Sequence, residues 1–333
     1  MLFIDRNGEA AGAVNSALSG TDYTSRLEQE LEMRFSKRAV AVCSVDAAIH
    51  TALYLCGVRE RDYVFVPSYT FYSYVASVTN AGGIPVFLDC DPITRCVSPS
   101  ALETAFVWSN LQHKAPMAVV VDNAFGSVAD YDVLYPLCRA YDVPLVELCC
   151  DGVGVYKDKP CGANGDYGVL GFDKRLYGGG GAVLCGDDIR SAYRFTRIEY
   201  SESENHDYRM HNMIAALDCV QLDVSKKLSA RARKNLDALC FSLDGVLPPV
   251  EGDAGTYAAV KAAKFVSDLR ADGYDVKLPP PVHMLPQYGD CAYFEHERGY
   301  SVCEHLREYC LINMDVSPFK RAKLISTLKA YEV

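Results

Sequence analysis

Short apolar runs alternate with amphipathic stretches along most of the chain. The runs at residues 39–43, 63–66, 85–88, 118–121 and 144–149 have the length and composition of buried strands, and two more, 167–172 and 181–185, flank a run of glycines. The stretches at 22–35, 47–57, 73–81 and 131–141 carry apolar positions at helical spacing. Strands that alternate with helices predict an α/β protein with a mainly parallel sheet covered by helices on both faces.

The pattern changes near His211. A long helix is predicted from there toward Leu239, followed by a strand, a helix at 261–272, a proline-rich loop at 278–286 and two helices. We therefore expect two domains, a large one at residues 1–239 and a smaller C-terminal α+β domain at residues 240–333. A chain of 333 residues has a length that commonly forms two domains.

The chain is acidic, and half of its residues are hydrophobic. Its 33 lysines and arginines face 43 aspartates and glutamates, which argues against nucleic acid as a partner because phosphate backbones bind basic patches. No apolar run reaches the roughly 18 residues of a membrane-spanning helix, and the first residues lack the pattern of a signal peptide, so we expect a cytoplasmic protein with no membrane partner. The 14 cysteines lie scattered in apolar runs, so we expect small buried hydrophobes and no structural metal.

A cleft is expected at one edge of the sheet. In open parallel sheets, ligands bind beyond the carboxyl ends of the strands. The residues that follow the predicted strands are 44–46, 68–71, 148–151 and 172–174. These four segments should therefore surround one ligand cleft.

Four stretches resemble one known family in order and spacing. They are residues 39–92, ending in PVFLDCDP; 143–172, which includes VELCCDGVGVYKDKPCGANGDYGVLGF; 174–184, KRLYGGGGAVL; and 207–223, DYRMHNMIAALDCVQLD. They are similar to motifs of the DegT/StrS-type sugar aminotransferases. The resemblance implies the large domain of the aspartate-aminotransferase superfamily (fold type I), a pyridoxal phosphate (PLP) cofactor and a homodimer with active sites at the subunit interface. It also implies transfer of an amino group, usually from glutamate, to a keto group on a nucleotide-linked sugar.

Some functional positions of that family keep a suitable residue. Lys174 lies where the family has the lysine that forms the Schiff base with PLP, although it could also be an exposed loop lysine. Phe71 lies where the family stacks an aromatic ring on the cofactor, and could equally be a core aromatic. The glycines at 178–181 match the family's flexible turn.

The position that should meet the pyridine nitrogen has changed. The family has an aspartate there, which keeps the ring protonated, and this chain has Leu148. Glu147 is adjacent but should point to the other side of the strand. Asp151, where the family often has glutamine, is a poor substitute, and Leu148 is best interpreted as core filling.

The phosphate-binding positions have changed as well. The family's SGT turn is Ser44, Val45 and Asp46 here, its phosphate-binding serine is Gly171, and the asparagine that reaches the neighbouring subunit's phosphate is Asp207. Two carboxylates would then face a dianion, at a cost on the order of 4 kcal/mol per unit charge at ~4 Å and an effective dielectric constant of ~20. Asp46 also has a structural interpretation, since an acid stabilises the N-terminus of its own helix.

Three functions follow from these residues. The first is a degenerate member of the family, in a nucleotide-sugar or polysaccharide biosynthesis setting, that supports an active paralogue or holds a different ligand such as a sugar nucleotide. The second is an active PLP-dependent aminotransferase that works through Lys174. The third is a PLP enzyme of another reaction, such as a dehydratase. We favour the first because the changes affect both the position that meets the pyridine nitrogen and the positions that bind the phosphate. We interpret the histidines in polar segments, including His206, His211 and His283, as solvated.

Overall fold

The computed structural model describes residues 8–172, 179–197, 206–289, 291 and 299–333, without the side chains of 223–226. Its α-helices are α1 (Glu9–Leu18), α2 (Tyr23–Phe35), α3 (Val45–Leu55), α4 (Tyr72–Asn80), α5 (Pro99–Leu111), α6 (Tyr131–Ala140), α7 (Ile189–Thr196), α8 (Asn212–Ser242), α9 (Val266–Ala271), α10 (Ser301–His305) and α11 (Pro318–Ala330). Its strands are β1 (Ala39–Val42), β2 (Tyr63–Pro67), β3 (Ile84–Leu88), β4 (Ala118–Asp122), β5 (Leu145–Cys149), β6 (Val155–Tyr156), β7 (Lys159–Pro160), β8 (Tyr167–Gly171), β9 (Gly181–Leu184), β10 (Tyr257–Val260), β11 (Val276–Lys277) and β12 (Cys310–Asn313). Short 3-10 helices lie at Ala124–Gly126, Gly186–Asp188, Ala263–Phe265, Val282–Met284, Pro286–Tyr288 and Leu306–Glu308.

Seven strands form the main sheet in the order β1-β9-β8-β5-β4-β2-β3. The pairs among β2, β3, β4, β5 and β8 are parallel, whereas β9 runs antiparallel to both of its neighbours. Six strands therefore point one way and β9 points the other way. The expectation of an α/β protein with a mainly parallel sheet is confirmed.

Both faces of this sheet are covered, and alternate residues of a strand serve the two faces. On β4, Ala118 and Val120 belong to the core on the side of α3 and α4, while Val119 and Val121 pack against α5 and α6. All five residues of β4 are buried. A continuous apolar run is what a strand buried on both faces requires, which is why this run could be identified from sequence.

Side-chain caps fix where several helices begin. The side chains of Asp22, Ser44, Ser98 and Ser317 accept hydrogen bonds from the backbone N–H groups three residues on, at the N-termini of α2, α3, α5 and α11. Such a cap satisfies one of the unpaired donors of the first turn and stabilises a helix by about 1 kcal/mol. The cap of α3 matters most for the cleft because Ser44 lies two residues after the end of β1.

The C-terminal part contains a second sheet, of order β10-β12-β11, all antiparallel. One strand was missed here, and one helix is shorter than predicted. The apolar run at β12 is the central strand of this sheet and was not predicted, because four residues are too few to show a period. The helix predicted at 261–272 is present as a 3-10 turn that continues into α9. The long helix α8 supplies Ala232, Leu236 and Leu239 to the core beneath this second sheet.

A buried carboxylate holds the connection between β5 and β8. Glu147 is fully buried and accepts hydrogen bonds from the Asn123 side chain, the backbone N–H and side chain of Asn164, and the backbone N–H of Gly165, at 2.7–3.3 Å. These donors compensate for the water that the carboxylate loses. Within the described residues, no helix is both long enough and apolar enough to cross a membrane.

We expect Glu147→Ala to lower the free energy of unfolding by about 3–5 kcal/mol, because several buried donors lose their acceptor at once. Urea titration followed by circular dichroism measures the effect. The matched control is Glu103→Ala on the exposed side of α5, which should change stability by no more than about 0.5 kcal/mol. Similar values for the two variants would contradict this account of the connection.

Candidate ligand cleft

The carboxyl ends of the parallel strands bring most of the predicted site residues together. Val45 and Leu148 belong to one buried cluster, and Phe71 packs against it. A Cβ built on Gly171 would lie 2.9 Å from the Cα and Cβ of Cys150 and 3.1 Å from a methyl group of Val45. The predicted edge of the sheet is therefore where these residues meet. Lys174 lies outside the described residues, so its position relative to the cleft stays a prediction.

The N-terminus of α3 is occupied by its own side chains. The Ser44 hydroxyl accepts a hydrogen bond from the backbone N–H of Ala47 at 3.0 Å, and Val45 is buried. Asp46 is exposed, and its carboxylate accepts a 3.2 Å hydrogen bond from the buried Ser77 hydroxyl. A negative side chain in the first turn also offsets the positive end of the helix dipole. The N-terminus of α3 is thus stabilised by the Asp46 carboxylate. An anion-binding site would instead need a hydrogen-bond donor at this position.

Leu148 is fully buried and lies in the hydrophobic core at the end of β5. Its neighbour Glu147 points to the opposite side of the strand, where it is held by the Asn164 and Gly165 donors described above. Neither side chain can meet a protonated ring nitrogen in the cleft: one has no charge, and the other faces away.

Asp151 is buried and serves the backbone around it. One of its carboxylate oxygens accepts a hydrogen bond from the backbone N–H of Phe125 at 3.3 Å, and its carbonyl accepts one from the Thr256 hydroxyl. Phe125 has φ 60° and ψ 24°, a left-handed conformation that is strained for a bulky residue. Asp151 therefore helps to hold an unfavourable turn next to the cleft.

Sequence reasoning missed a buried carboxylate on the neighbouring strand. Asp122 ends β4, is fully buried, and is in register with Leu148 of β5. Residues in register on adjacent strands point to the same face. The Thr70 hydroxyl, from the loop after β2, donates to Asp122 at 2.6 Å. The signal was present in the sequence, since an acid closes the apolar run at 118–121.

The aromatic ring of Phe71 already has a cation as neighbour. Phe71 is partly exposed, and the Nζ of Lys277, from the second sheet, lies 5.3 Å from the centroid of its ring. The same ammonium lies 5.8 Å from the ring of Tyr257. Phe125 packs edge-on against Phe71 at 5.0 Å. Attraction between an ammonium and aromatic faces places a positive charge at the ring where the family stacks its cofactor.

Asp207 lies at the same edge but is neutralised by a near neighbour. Arg209 donates to both of its carboxylate oxygens at 2.8 and 3.3 Å, and these bonds lower the pKa of Asp207. The backbone carbonyl of Tyr208 accepts from Cys43 at 2.8 Å, which fixes this segment beside the end of β1. In the glycine turn, Gly180 has φ 83°, a conformation that favours glycine.

A histidine expected in solvent is instead part of the cleft wall. His283 is half-buried, its Nδ1 pairs with the hydroxyl of Ser68 after β2, and its ring stacks on Tyr300 with centroids 3.9 Å apart. Burial lowers the pKa of His283 to about 4. The prediction that His283 is solvated was wrong, because the proline-rich loop folds back onto the end of β2 through a contact that local sequence does not encode.

These residues do not fit the anionic, ring-protonated PLP of the family. Leu148 stands where the pyridine nitrogen needs an acid. At the start of α3, Asp46 places an acid where the phosphate needs a donor, and Val45 replaces the family's glycine. At Gly171, where the family has a serine, a Cβ would collide with the backbone of Cys150.

The sequence profile of the DegT/DnrJ/EryC1/StrS aminotransferase family matches residues 8–248. A match over this much of the chain shows that the protein belongs to that family, as the resemblance of its motifs implied. The fold and the order of the motifs are those of an aminotransferase-type protein.

Individual relatives agree with this assignment. The chain is 33% identical over 320 residues to a Bacillus subtilis protein assigned as the pyridoxal phosphate-dependent aminotransferase EpsN, covering 85% of this chain and 81% of the relative. It is 26% identical to GDP-perosamine synthase of Vibrio cholerae, covering 81% of this chain and 80% of that one. A crystal structure of a DegT DnrJ EryC1 StrS aminotransferase from Brucella abortus superposes with a TM-score of 0.84 at 21% identity, over 100% of this chain and 99% of that chain. At that identity the superposition shows the fold alone.

Restoring the family's side chain at Gly171 should damage the protein. Gly171→Ser and Gly171→Ala are both expected to lower the free energy of unfolding by about 1–3 kcal/mol, because the added Cβ collides with the backbone of Cys150. Thermal unfolding monitored by calorimetry measures this change. Gly12→Ala, at an open and exposed position of α1, is the control and should stabilise by about 0.5–1 kcal/mol. A neutral Gly171→Ala would show that the space is larger than described.

Acidification should destabilise the folded protein through two neutral histidines. Burial lowers the pKa of both His283 and His50 to about 4 from an ordinary 6.5. Between these values the unfolded chain binds more protons, so stability rises with pH there and is lost as pH falls from 6.5 toward 4. Urea midpoints at several pH values measure the slope.

We expect His283→Gln to reduce that slope and exposed His211→Gln to leave it unchanged. If the slope were the same in all three proteins, the lowered pKa of His283 would be excluded as a cause.

Proposed function

We propose that this protein is a degenerate sugar-aminotransferase-like protein of nucleotide-sugar or polysaccharide biosynthesis that does not run standard PLP transamination. The single observation that carries the proposal is Leu148, which is fully buried in the core at the position where the family has the aspartate for the pyridine nitrogen. An electron sink needs a protonated ring, and an aliphatic side chain cannot stabilise that charge.

The phosphate end of the cleft supports the same conclusion. The Ser44 hydroxyl is used by its own helix, and the Asp46 carboxylate, which accepts from Ser77, lies in the first turn of α3, where a phosphate would bind. A helix N-terminus is an anion site because its N–H groups are unpaired, and a side-chain acid there repels an incoming dianion. Losses at two separate ends of one ligand are hard to reconcile with its retention.

We propose that the cleft holds a different ligand. The partly exposed ring of Phe71 and the ammonium of Lys277 beside it offer a stacking surface and one positive charge, which suit a sugar nucleotide: its base is planar and its diphosphate is anionic. In this proposal the protein is a cytoplasmic homodimer of two-domain subunits, with α8 linking residues 1–239 to residues 240–333. It binds the nucleotide sugar without a cofactor or supports an active paralogue.

A second candidate is an active aminotransferase that works through Lys174. Asp122 is the observation in its favour, because this carboxylate lies on the same sheet face as Leu148 and one strand away. A PLP enzyme of another reaction, such as a dehydratase, would use the same residues.

The test is a titration of purified protein with PLP, monitored by visible absorbance and by equilibrium dialysis. We expect no Schiff-base band and no saturable binding at millimolar PLP. The matched variants are Lys174→Ala and, as control, Lys329→Ala near the end of α11. A band in the wild type that persists in Lys329→Ala and vanishes in Lys174→Ala would overturn the proposal. Glutamate-dependent amination of a nucleotide-linked keto-sugar, detected by mass spectrometry, would do the same.

A further inference from the structure

Two buried cysteines from distant parts of the chain lie in direct contact. Cys90 follows β3 of the main sheet, and Cys303 lies in α10 near the C-terminus, 213 residues later. Their sulfur atoms are 3.1 Å apart, and both residues are almost wholly buried, at 2% and 0% exposure. Both cysteines belong to the hydrophobic cluster that also contains Val45 and Leu148.

A carboxylate fixes the two cysteines relative to each other. Asp89 accepts hydrogen bonds from the backbone N–H of Cys90 at 2.8 Å, of Cys303 at 2.9 Å and of Val302 at 3.2 Å. These bonds tie the first turn of α10 to the end of β3. The contact between the sulfur atoms is therefore set by backbone geometry on both sides and does not depend on flexible side chains alone.

The geometry argues against a metal ion between them. Asp89, Cys90 and Cys303 present their ligand atoms within 4.8 Å of one another. Two thiolates on tetrahedral zinc, each at about 2.3 Å, would lie about 3.8 Å apart. The observed sulfur atoms are closer than that, and the Asp89 oxygens already accept three backbone donors. A closing movement of about 1 Å would instead bring the sulfurs to covalent distance.

Small oxidants have a route to this pair. A surface cavity of about 330 Å³ is lined by Asp89, Cys90, Ser98, Ser301 and Val302, among others. Cys90 is one of the residues that line this cavity, whereas Cys303 is not, so a small molecule in the cavity lies nearer to Cys90. Burial raises the pKa of Cys303, so that thiol stays protonated until a neighbour reacts.

We infer that Cys90 and Cys303 are an oxidisable dithiol site, at which a peroxide forms a disulfide bond that joins α10 to the end of β3. This site is independent of the proposed function of the cleft. Cys90 is the residue that reacts first with the peroxide, and Cys303 is the resolving cysteine.

The chemistry balances with hydrogen peroxide as the oxidant. The sulfur of Cys90 attacks one peroxide oxygen, the O–O bond breaks, and a sulfenic acid and one water are formed. The sulfur of Cys303 then attacks the Cys90 sulfur, the S–O bond breaks, and the leaving hydroxide takes the Cys303 proton as a second water. Two thiols have lost two electrons and two protons, and the peroxide has been reduced to two waters.

The bond would fix one wall of the cleft. Tyr300 directly precedes α10, stacks on His283 and donates from its hydroxyl to the carbonyl of Phe87 on β3 at 3.3 Å. A disulfide bond between Cys303 and Cys90 would hold α10, and with it Tyr300, against the main sheet. Oxidation should therefore restrain this wall without adding any residue to it.

The experiment uses the full-length protein and hydrogen peroxide. Reduced protein is treated with peroxide, the remaining thiols are alkylated under denaturing conditions, and the digest is mapped by mass spectrometry. We expect two of the 14 thiols to be lost and a peptide to appear that joins Cys90 to Cys303. The linkage should form faster as pH rises, because ionised thiols are the nucleophiles.

The variants separate a specific pair from general oxidation. Cys90→Ser and Cys303→Ser should each abolish the linked peptide, whereas Cys138→Ser, a buried cysteine of α6, should keep it. The wild-type map needs no variant, so a folding defect in either serine variant leaves the test intact. A map in which Cys90 and Cys303 stay free while other cysteines are oxidised would overturn the inference, as would stoichiometric zinc that protects both thiols. A PLP band in the titration above would leave this result unaffected.

Discussion

Close packing between β8 and the turn after β5 sets the chemistry of the cleft. Gly171 lies against the backbone of Cys150 and a methyl group of Val45, so the floor of the cleft is made of main chain and aliphatic carbon. A hydroxyl on residue 171 would need the turn to move, and the turn is held by Asp151 and Thr256. Residue 171 is thus limited to glycine mainly by the backbone of Cys150, with the Val45 methyl group as a second, slightly more distant neighbour.

The charges in the cleft differ from those that the family resemblance implies. Acids stand at the helix start and at the segment beside β1, an aliphatic residue fills the ring position, and a lysine ammonium lies on the aromatic ring. Each acid is also satisfied locally, Asp46 by Ser77 and Asp207 by Arg209. Both acids therefore have a partner within the protein itself.

Most of the fold, but only part of the candidate site, could be predicted from local sequence. Strands buried on both faces, such as β4, read as unbroken apolar runs, and serines and aspartates mark helix starts, so the main sheet and its edge were predictable. The second sheet was less accessible because β12 is too short to show a period. His283 and Asp122 were missed for a different reason: their importance comes from Ser68, Tyr300 and Leu148, which are neighbours in space or across strands.

The strained turn at Phe125 links the cleft to the rest of the molecule. Its left-handed backbone costs on the order of 1–3 kcal/mol and is retained while the Asp151 carboxylate holds the Phe125 N–H. The aromatic ring of Phe125 packs against those of Tyr69, Phe71 and Tyr257. A bound group that drew the carboxylate away would release that stored energy and let three aromatic neighbours shift together. The Asp151 carboxylate thus couples the backbone conformation at Phe125 to the packing of these three aromatic side chains.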